Sequence, residues 1–236
     1  LFYPSGYEDS EGTMHNLSAS QGTGWGLRFD WFTPESAPDR VVWAGGLGAL
    51  VDFGDGADIH FADTLSIGQG FVYGMGLSYD GGGDDLYRGF WWGFGSGTHM
   101  GAGLFIEDGG DDDVLISRFS AALGHDTGIS WYLDNAGADL YGGNLTFGRS
   151  LDDGQAFFID SAGDDTYAPL FRVNFGVCHR QALPNLQRVG AFLDLGGGND
   201  IYLGPNTAPA NDSEWFQAPE GDGVSIQFKK GMGIDR

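Results

Sequence analysis

Apolar residues return along this chain in short alternating runs, each followed by a glycine- and aspartate-rich turn and then, in most copies, by an aromatic. Six such runs lie under one another: "LVDFGDGADIHF" from Leu50, "SYDGGGDDLY" from Ser78, "FIEDGGDDDVL" from Phe105, "YLDNAGADLY" from Tyr132, "FIDSAGDDTY" from Phe158 and "FLDLGGGNDIY" from Phe192. Their first acids are Asp52, Asp80, Glu107, Asp134, Asp160 and Asp194, at intervals of 28, 27, 27, 26 and 34 residues; the last is stretched by an insertion within "VCHRQALPNLQR". The second acids fall on Asp58, Asp85, Asp113, Asp139, Asp165 and Asp200, and two residues later come His60, Tyr87, Leu115, Tyr141, Tyr167 and Tyr202. Positions one and three before the first acid are apolar, as in Tyr79 and Leu77 or Leu133 and Trp131. This alternation predicts strands with one buried face, the apolar one.

A period near 27 residues, with short strands and no helical pattern, predicts an all-β fold: a β-solenoid, parallel β-helix-like, of about six coils over residues 46–204. Equivalent residues then stack into ladders. The alternative is a meander of repeated β-hairpins whose tight turns are the "GGGD" segments. Residues 1–45, with "WFTPESAPDR", read as an N-terminal capping region, and residues 205–236, with "PNTAPANDSEW", as a C-terminal cap or tail.

Composition sharpens this picture. Glycine supplies 43 residues, far above the usual share of about 7%, and with 8 prolines and no G-X-Y period a collagen is excluded. Four residues before the first acid every copy is small, at Gly48, Gly76, Gly103, Ser130, Ala156 and Gly190. A smooth face approached closely by something is expected there.

Acidic residues outnumber basic ones 33 to 11, for a formal charge of −22. A phosphate backbone needs clustered Lys and Arg, so nucleic acid is excluded as a partner. A hard cation with oxygen ligands, calcium first, is the natural counterion. The single cysteine, Cys178, leaves no intrachain disulfide framework and no CxxC motif. No run of about 18 apolar residues exists, so no membrane span is expected. The opening "LFYPSGYEDSEG" lacks the basic and apolar regions of a signal peptide and begins without Met, as a mature or excised segment does. An extracellular or cell-surface location is the expectation.

The turn "GGGNDIYLG" at Gly196–Gly204 resembles the glycine-rich calcium nonapeptides of RTX toxins and secreted proteases, whose pattern is G-G-x-G-x-D-x-U-x. The likeness covers the turns alone, and one acidic turn per roughly 27 residues stands here where that family repeats every nine. It implies calcium on Asp58, Asp85, Asp113, Asp139, Asp165 and Asp200. Independently of it, two ladders of carboxylates about 4.8 Å apart repel unless neutralised. That makes Asp52, Asp80, Glu107, Asp134, Asp160 and Asp194 metal candidates as well. The plain alternative is that these acids cap turns and hold their N–H groups. A carboxylate pair repeated six times is a poor glycosidase pair, because an active site is normally singular.

Singular chemistry lies where the repeat breaks. Stacking would bring His99, His125, Asp126 and Asp152 together on adjacent coils, and the insertion adds Cys178, His179 and Arg180 near the same corner. Such a patch suits a transition metal, a His/Asp acid–base site or a Cys–His nucleophile; equally, His and Asp are ordinary corner residues. The aromatic groups "GFWWGFG" and "WYL" fit sugar stacking or a core. The function expected from all this is that of an acidic structural or surface solenoid, calcium-stabilised and self-assembling into homo-oligomers or filaments through its smooth face or open ends. The alternative is an extracellular polysaccharide-binding or polysaccharide-active domain with a glycan partner at the His/Asp corner.

Overall fold

The computed structural model describes residues 7–8, 14–15, 19–28, 42–43, 45–118, 120–143, 147–169, 175–179, 188–196, 198–203, 214–217 and 229–235. They form an all-β solenoid with three parallel sheets. The first sheet stacks Leu47–Val51, Met75–Asp80, Ala102–Glu107, Ile129–Asp134, Gln155–Asp160, Arg188–Asp194 and Lys229–Asp235, with Glu214–Gln217 added antiparallel on the last. The second stacks Ile59–Phe61, Leu86–Gly93, Asp113–Arg118, Leu140–Gly143, Thr166–Pro169 and Ile201–Tyr202. The third stacks Gly24–Trp25, Gly70–Phe71, Gly97–Thr98, Leu123–His125, Arg149–Leu151 and Cys178–His179.

Four consecutive coils, beginning at Met75, Ala102, Ile129 and Gln155, are regular, so the regular part has about four turns rather than six. Residues 47–71 split their second-sheet path into Ile59–Phe61 and Thr64–Ser66, and the copy at Arg188–Tyr202 has no third-sheet strand among the described residues. Of the segment expected to cap the N-terminus, Gly24–Trp25 is a third-sheet strand; of the expected C-terminal tail, Lys229–Asp235 is a first-sheet strand. Most of both segments lies outside the described residues.

The strands are where the alternation puts them, but their faces are reversed. In Ile129–Asp134 the buried residues are Ser130, Tyr132 and Asp134, while Trp131 is 37% exposed. Gln155–Asp160 likewise buries Ala156, Phe158 and Asp160 and turns Phe157 and Ile159 outward. Side chains alternate with a period of two, so assigning the wrong parity exchanges core and surface along the whole strand. Here the acid itself belongs to the inward row, and the apolar residues beside it line the outside of the sheet.

The core is an aromatic column. Phe105, Tyr132, Phe158 and Phe192 stack on successive coils at centroid separations of 4.6, 4.8 and 5.4 Å. Tyr141 and Tyr167, stacked at 5.1 Å, meet that column edge-on, and Phe147 stacks on Phe175 at 4.6 Å. Each such ring buries roughly 150–250 Å², and this repeated burial is what holds the coils together.

The small residues four before the acid face inward too. A Cβ on Gly76 would stand 2.2 Å from the carbonyl oxygen of Gln69, and one on Gly103 2.2 Å from that of Ser96. What approaches the smooth row is the chain's own third-sheet turn, so this row is interior and presents no surface for assembly. No helix in the described residues is long and apolar enough to cross a membrane.

Candidate metal centre

Between the first and second sheets each coil turns through the Gly/Asp segment, and parallel register carries its acids into columns. Asp80, Glu107, Asp134, Asp160 and Asp194 are directly paired along the first sheet, and Asp235 continues the row opposite Asp194. All from Asp80 to Asp194 are buried, whereas Asp52 and Asp58 at the open end are half-exposed.

The second acids form a ladder of backbone-to-carboxylate bonds. Asp58 N–H donates to Asp85 Oδ1 at 2.6 Å, Asp85 to Asp112 at 2.7 Å, Asp112 to Asp139 at 2.7 Å, Asp139 to Asp165 at 2.7 Å and Asp165 to Asp200 at 2.8 Å. The member of this ladder on the Glu107 coil is Asp112, not Asp113. Asp113 pairs with Leu86, and its side chain is exposed. The same one-residue shift puts Val114, not Leu115, in the aromatic row with Tyr87 and Tyr141. The spacing of five between Asp80 and Asp85, Asp134 and Asp139, and Asp160 and Asp165 was the signal that selects Asp112.

Tyrosine hydroxyls tie the two ladders together. Tyr141 Oη lies 2.8 Å from both Asp134 Oδ2 and Asp160 Oδ2; Tyr167 Oη lies 3.1 Å from Asp160 Oδ2 and 2.9 Å from Asp194 Oδ2; Tyr202 Oη lies 3.3 Å from Asp194 Oδ2. Tyr87 bridges Asp80 and Glu107 in the same manner, and His60, stacked on Tyr87, reaches Asp80 Oδ2 at 3.2 Å. A phenol carries one proton, so the six carboxylate contacts of Tyr141, Tyr167 and Tyr202, the weakest of them from Tyr141 to Asp139 at 3.4 Å, have only three hydroxyl protons between them. The remaining contacts need protonated carboxyls, or a cation that removes the need for a proton.

Electrostatics agree with this count. Burial drives Asp134 and Asp160 well above the carboxylate range, with neighbouring carboxylates adding to it and Tyr141 pulling the other way. Burial likewise pushes Glu107 up to about 8, Asp112 to about 7, Asp139 to about 8 and Asp165 to about 7; the main opposition is a hydroxyl bond at Glu107 and backbone bonds at the aspartates. Asp134 Oδ1, Asp160 Oδ1 and Asp165 Oδ2 are buried without a hydrogen-bond donor.

Three groups have ligand oxygens within 4.8 Å of one another: Asp80, Asp85 and Glu107; Asp139, Asp160 and Asp165; and Asp165, Asp194 and Asp200. Oxygens on a Ca²⁺ ion at 2.3–2.6 Å can be separated by up to about 5 Å, so each group fits around one ion. Carboxylates and phenols are hard donors that suit Ca²⁺, Mg²⁺ or Mn²⁺. Among the described residues none of these groups contains histidine or cysteine.

The His/Asp corner lies between the third and first sheets. His99 Nδ1 is 2.7 Å from Asp126 Oδ2, His125 Nε2 is 3.0 Å from Asp152 Oδ2, and the two rings are 5.3 Å apart. The sequence expectation that these four meet on adjacent coils is met. The row has a left-handed backbone in four coils, with φ of 46°, 52°, 49° and 48° at Val72, His99, Asp126 and Asp152, so the conformation alone does not select His or Asp. Cys178 is buried in register with Ser150, on a different row, and the side chain of His179 and all of Arg180 lie outside the described residues. Burial, and then His99, hold the His125 imidazole below its ordinary pKa. The corner is a pair of part-buried dyads built into the turn, each with one buried and one partly exposed member.

The chain matches no protein-family model, no curated protein and no solved structure.

Proposed function

We propose that this chain is a structural protein: an acidic β-solenoid rod whose internal carboxylate column is neutralised by divalent cations, calcium first among them. The observation that carries this reading is Asp160, fully buried with Oδ1 lacking any donor, while Asp165, in one cation-sized group with it, has an equally buried Oδ2 without one. A buried carboxylate with one oxygen held by hydroxyls and the other left facing a second carboxylate is costly for a core to hold. A cation on these oxygens turns that cost into a cross-link between coils. Since weak calcium sites of extracellular modules work at about 10⁻⁴–10⁻³ M, an extracellular or cell-surface setting supplies enough ion to fill them.

Self-association belongs to the same reading. The outward row of the first sheet carries Met75, Ile129 and Trp131, with exposures of 58, 39 and 37%, and the end strand adds Leu47 at 78%. These are the side chains through which copies of the rod would meet. Thermal melts and light scattering with calcium or with EDTA test both parts. Calcium is expected to raise the melting temperature, and larger species are expected in solution. Identical melting under both conditions, or a strict monomer, removes the corresponding part.

A further inference from the structure

Two of the three carboxylate groups share a residue. Asp165 belongs both to the group with Asp139 and Asp160 and to the group with Asp194 and Asp200. It is fully buried and gripped from both sides: Oδ1 accepts the Asp139 N–H at 2.7 Å, and its own N–H donates to Asp200 Oδ1 at 2.8 Å. Among the described residues no N–H or hydroxyl reaches its second oxygen, Oδ2, or the buried Oδ1 of Asp160, and the only side-chain partner these two carboxyls have there is each other. The two groups are built alike, each taking the second acid of one coil and both acids of the next. The equivalent trio one coil earlier, Asp112, Asp134 and Asp139, is not among the cation-sized groups, and there Val114 stands where the neighbouring coils carry tyrosine. The group of Asp80, Asp85 and Glu107 is therefore separated from the other two.

We propose that Asp165 is the bridging carboxylate of a two-cation site, formed with Asp139, Asp160, Asp194 and Asp200, and that Asp80, Asp85 and Glu107 hold a third, separate ion. The proposal rests on the reading that the column takes hard divalent cations. Successive coils lie about 4.8 Å apart, a separation at which one carboxylate can touch two ions, one through each oxygen or both through Oδ2. Five carboxylates face two ions, so the charge is nearly balanced, five negative against four positive.

The test is the number of ions bound. Equilibrium dialysis with calcium is expected to give three per wild-type chain. Asp165→Asn leaves the acceptor for Asp139 N–H in place, since turning the amide round would set two donors against each other; its NH₂ then occupies the position of Oδ2 and repels both ions. One ion per chain is expected for Asp165→Asn, and two each for Asp200→Asn and Asp80→Asn. Two ions bound by Asp165→Asn would overturn the bridge while leaving cation binding intact, and no ion bound by the wild type would overturn the bridge and the underlying reading together.

A measurement on the wild type does not depend on whether a variant folds. Loaded with Mn²⁺, the protein is expected to give the electron paramagnetic resonance spectrum of a spin-coupled pair together with that of one isolated ion. Signals of isolated ions only would overturn the shared site.

Discussion

Each regular coil turns through two polar corners, and they handle buried charge in opposite ways. At the turn between the third and first sheets, carboxylates meet imidazoles: Asp126 sits 2.7 Å from His99 and Asp152 3.0 Å from His125. Between the first and second sheets, carboxylates meet phenols, backbone N–H groups and one another. Both rows are stacked by the same parallel register, so stacking alone does not create the problem. A corner that supplies its own base is self-contained, whereas one that supplies only single-proton donors depends on protons or cations from solution.

The largest expected effect follows from the sign of this difference. In the carboxylate column the folded-state values are raised, to about 7 at Asp112 and Asp165 and about 8 at Glu107 and Asp139, against roughly 4 in the unfolded chain. Between these limits the folded state binds more protons, so the cation-free protein loses stability as pH rises from about 4 to 8. At about 2–4 °C per kcal/mol, melting in EDTA is expected to fall by about 10 °C or more between pH 5 and 8. Calcium is expected to flatten that slope; an equal slope with and without the ion would break the contrast. His125 works in the other direction. Its folded value is lowered, so its contribution is present above roughly 6.5 and is lost as pH falls below that towards the lowered folded value.

Next in size is Tyr141→Phe, which removes the hydroxyl held between Asp134 and Asp160. Denaturant unfolding should show a loss of about 1–3 kcal/mol, the range for buried groups left without a charged-group hydrogen bond, and a larger loss in EDTA than in calcium. A smaller effect, about 1 kcal/mol at pH 7, is expected for His125→Gln. It should abolish the loss of stability on the acid side of pH 6.5 and be indifferent to calcium. Sensitivity to calcium at this corner would mean that the two corners share one charge balance.

How much of this could be read in advance depended on which residues repeated cleanly. The period, the parallel ladders and the alignment of Asp80 with Glu107, Asp134, Asp160 and Asp194 follow from the repeat, because a solenoid converts sequence spacing directly into register. Asp112 was hidden by its neighbours, since "DDD" offers three candidates and the two end copies space their acids by six residues instead of five. The bridging tyrosines were visible as a row but not as hydrogen-bond donors, because their role depends on which way the acids point. The alternation alone points that direction the wrong way. Apolar residues flank every acid, and elementary burial energetics favours turning them inward; the aromatic column of Phe105, Tyr132, Phe158 and Phe192 overrides this by filling the core from the other parity.

The contrast between the corners therefore rests on parity, and Trp131 tests parity most directly. It lies three residues before Asp134 in the same strand, so if Asp134 points inward Trp131 must point outward. Its ring stacks on Phe157 at a centroid separation of 4.2 Å while remaining 37% exposed. Trp131→Ser thus loses an exposed aromatic pair, worth about 0.5–1.5 kcal/mol, and creates no cavity. Phe158→Ala, in the adjacent coil but on the inward row, empties a fully buried site and is expected to cost about 3–5 kcal/mol. Urea unfolding of the two variants should separate them by at least about 1.5 kcal/mol. If Trp131→Ser proved the more damaging, the acids would face solvent, the buried column would not exist, and neither protons nor cations would be needed to balance it.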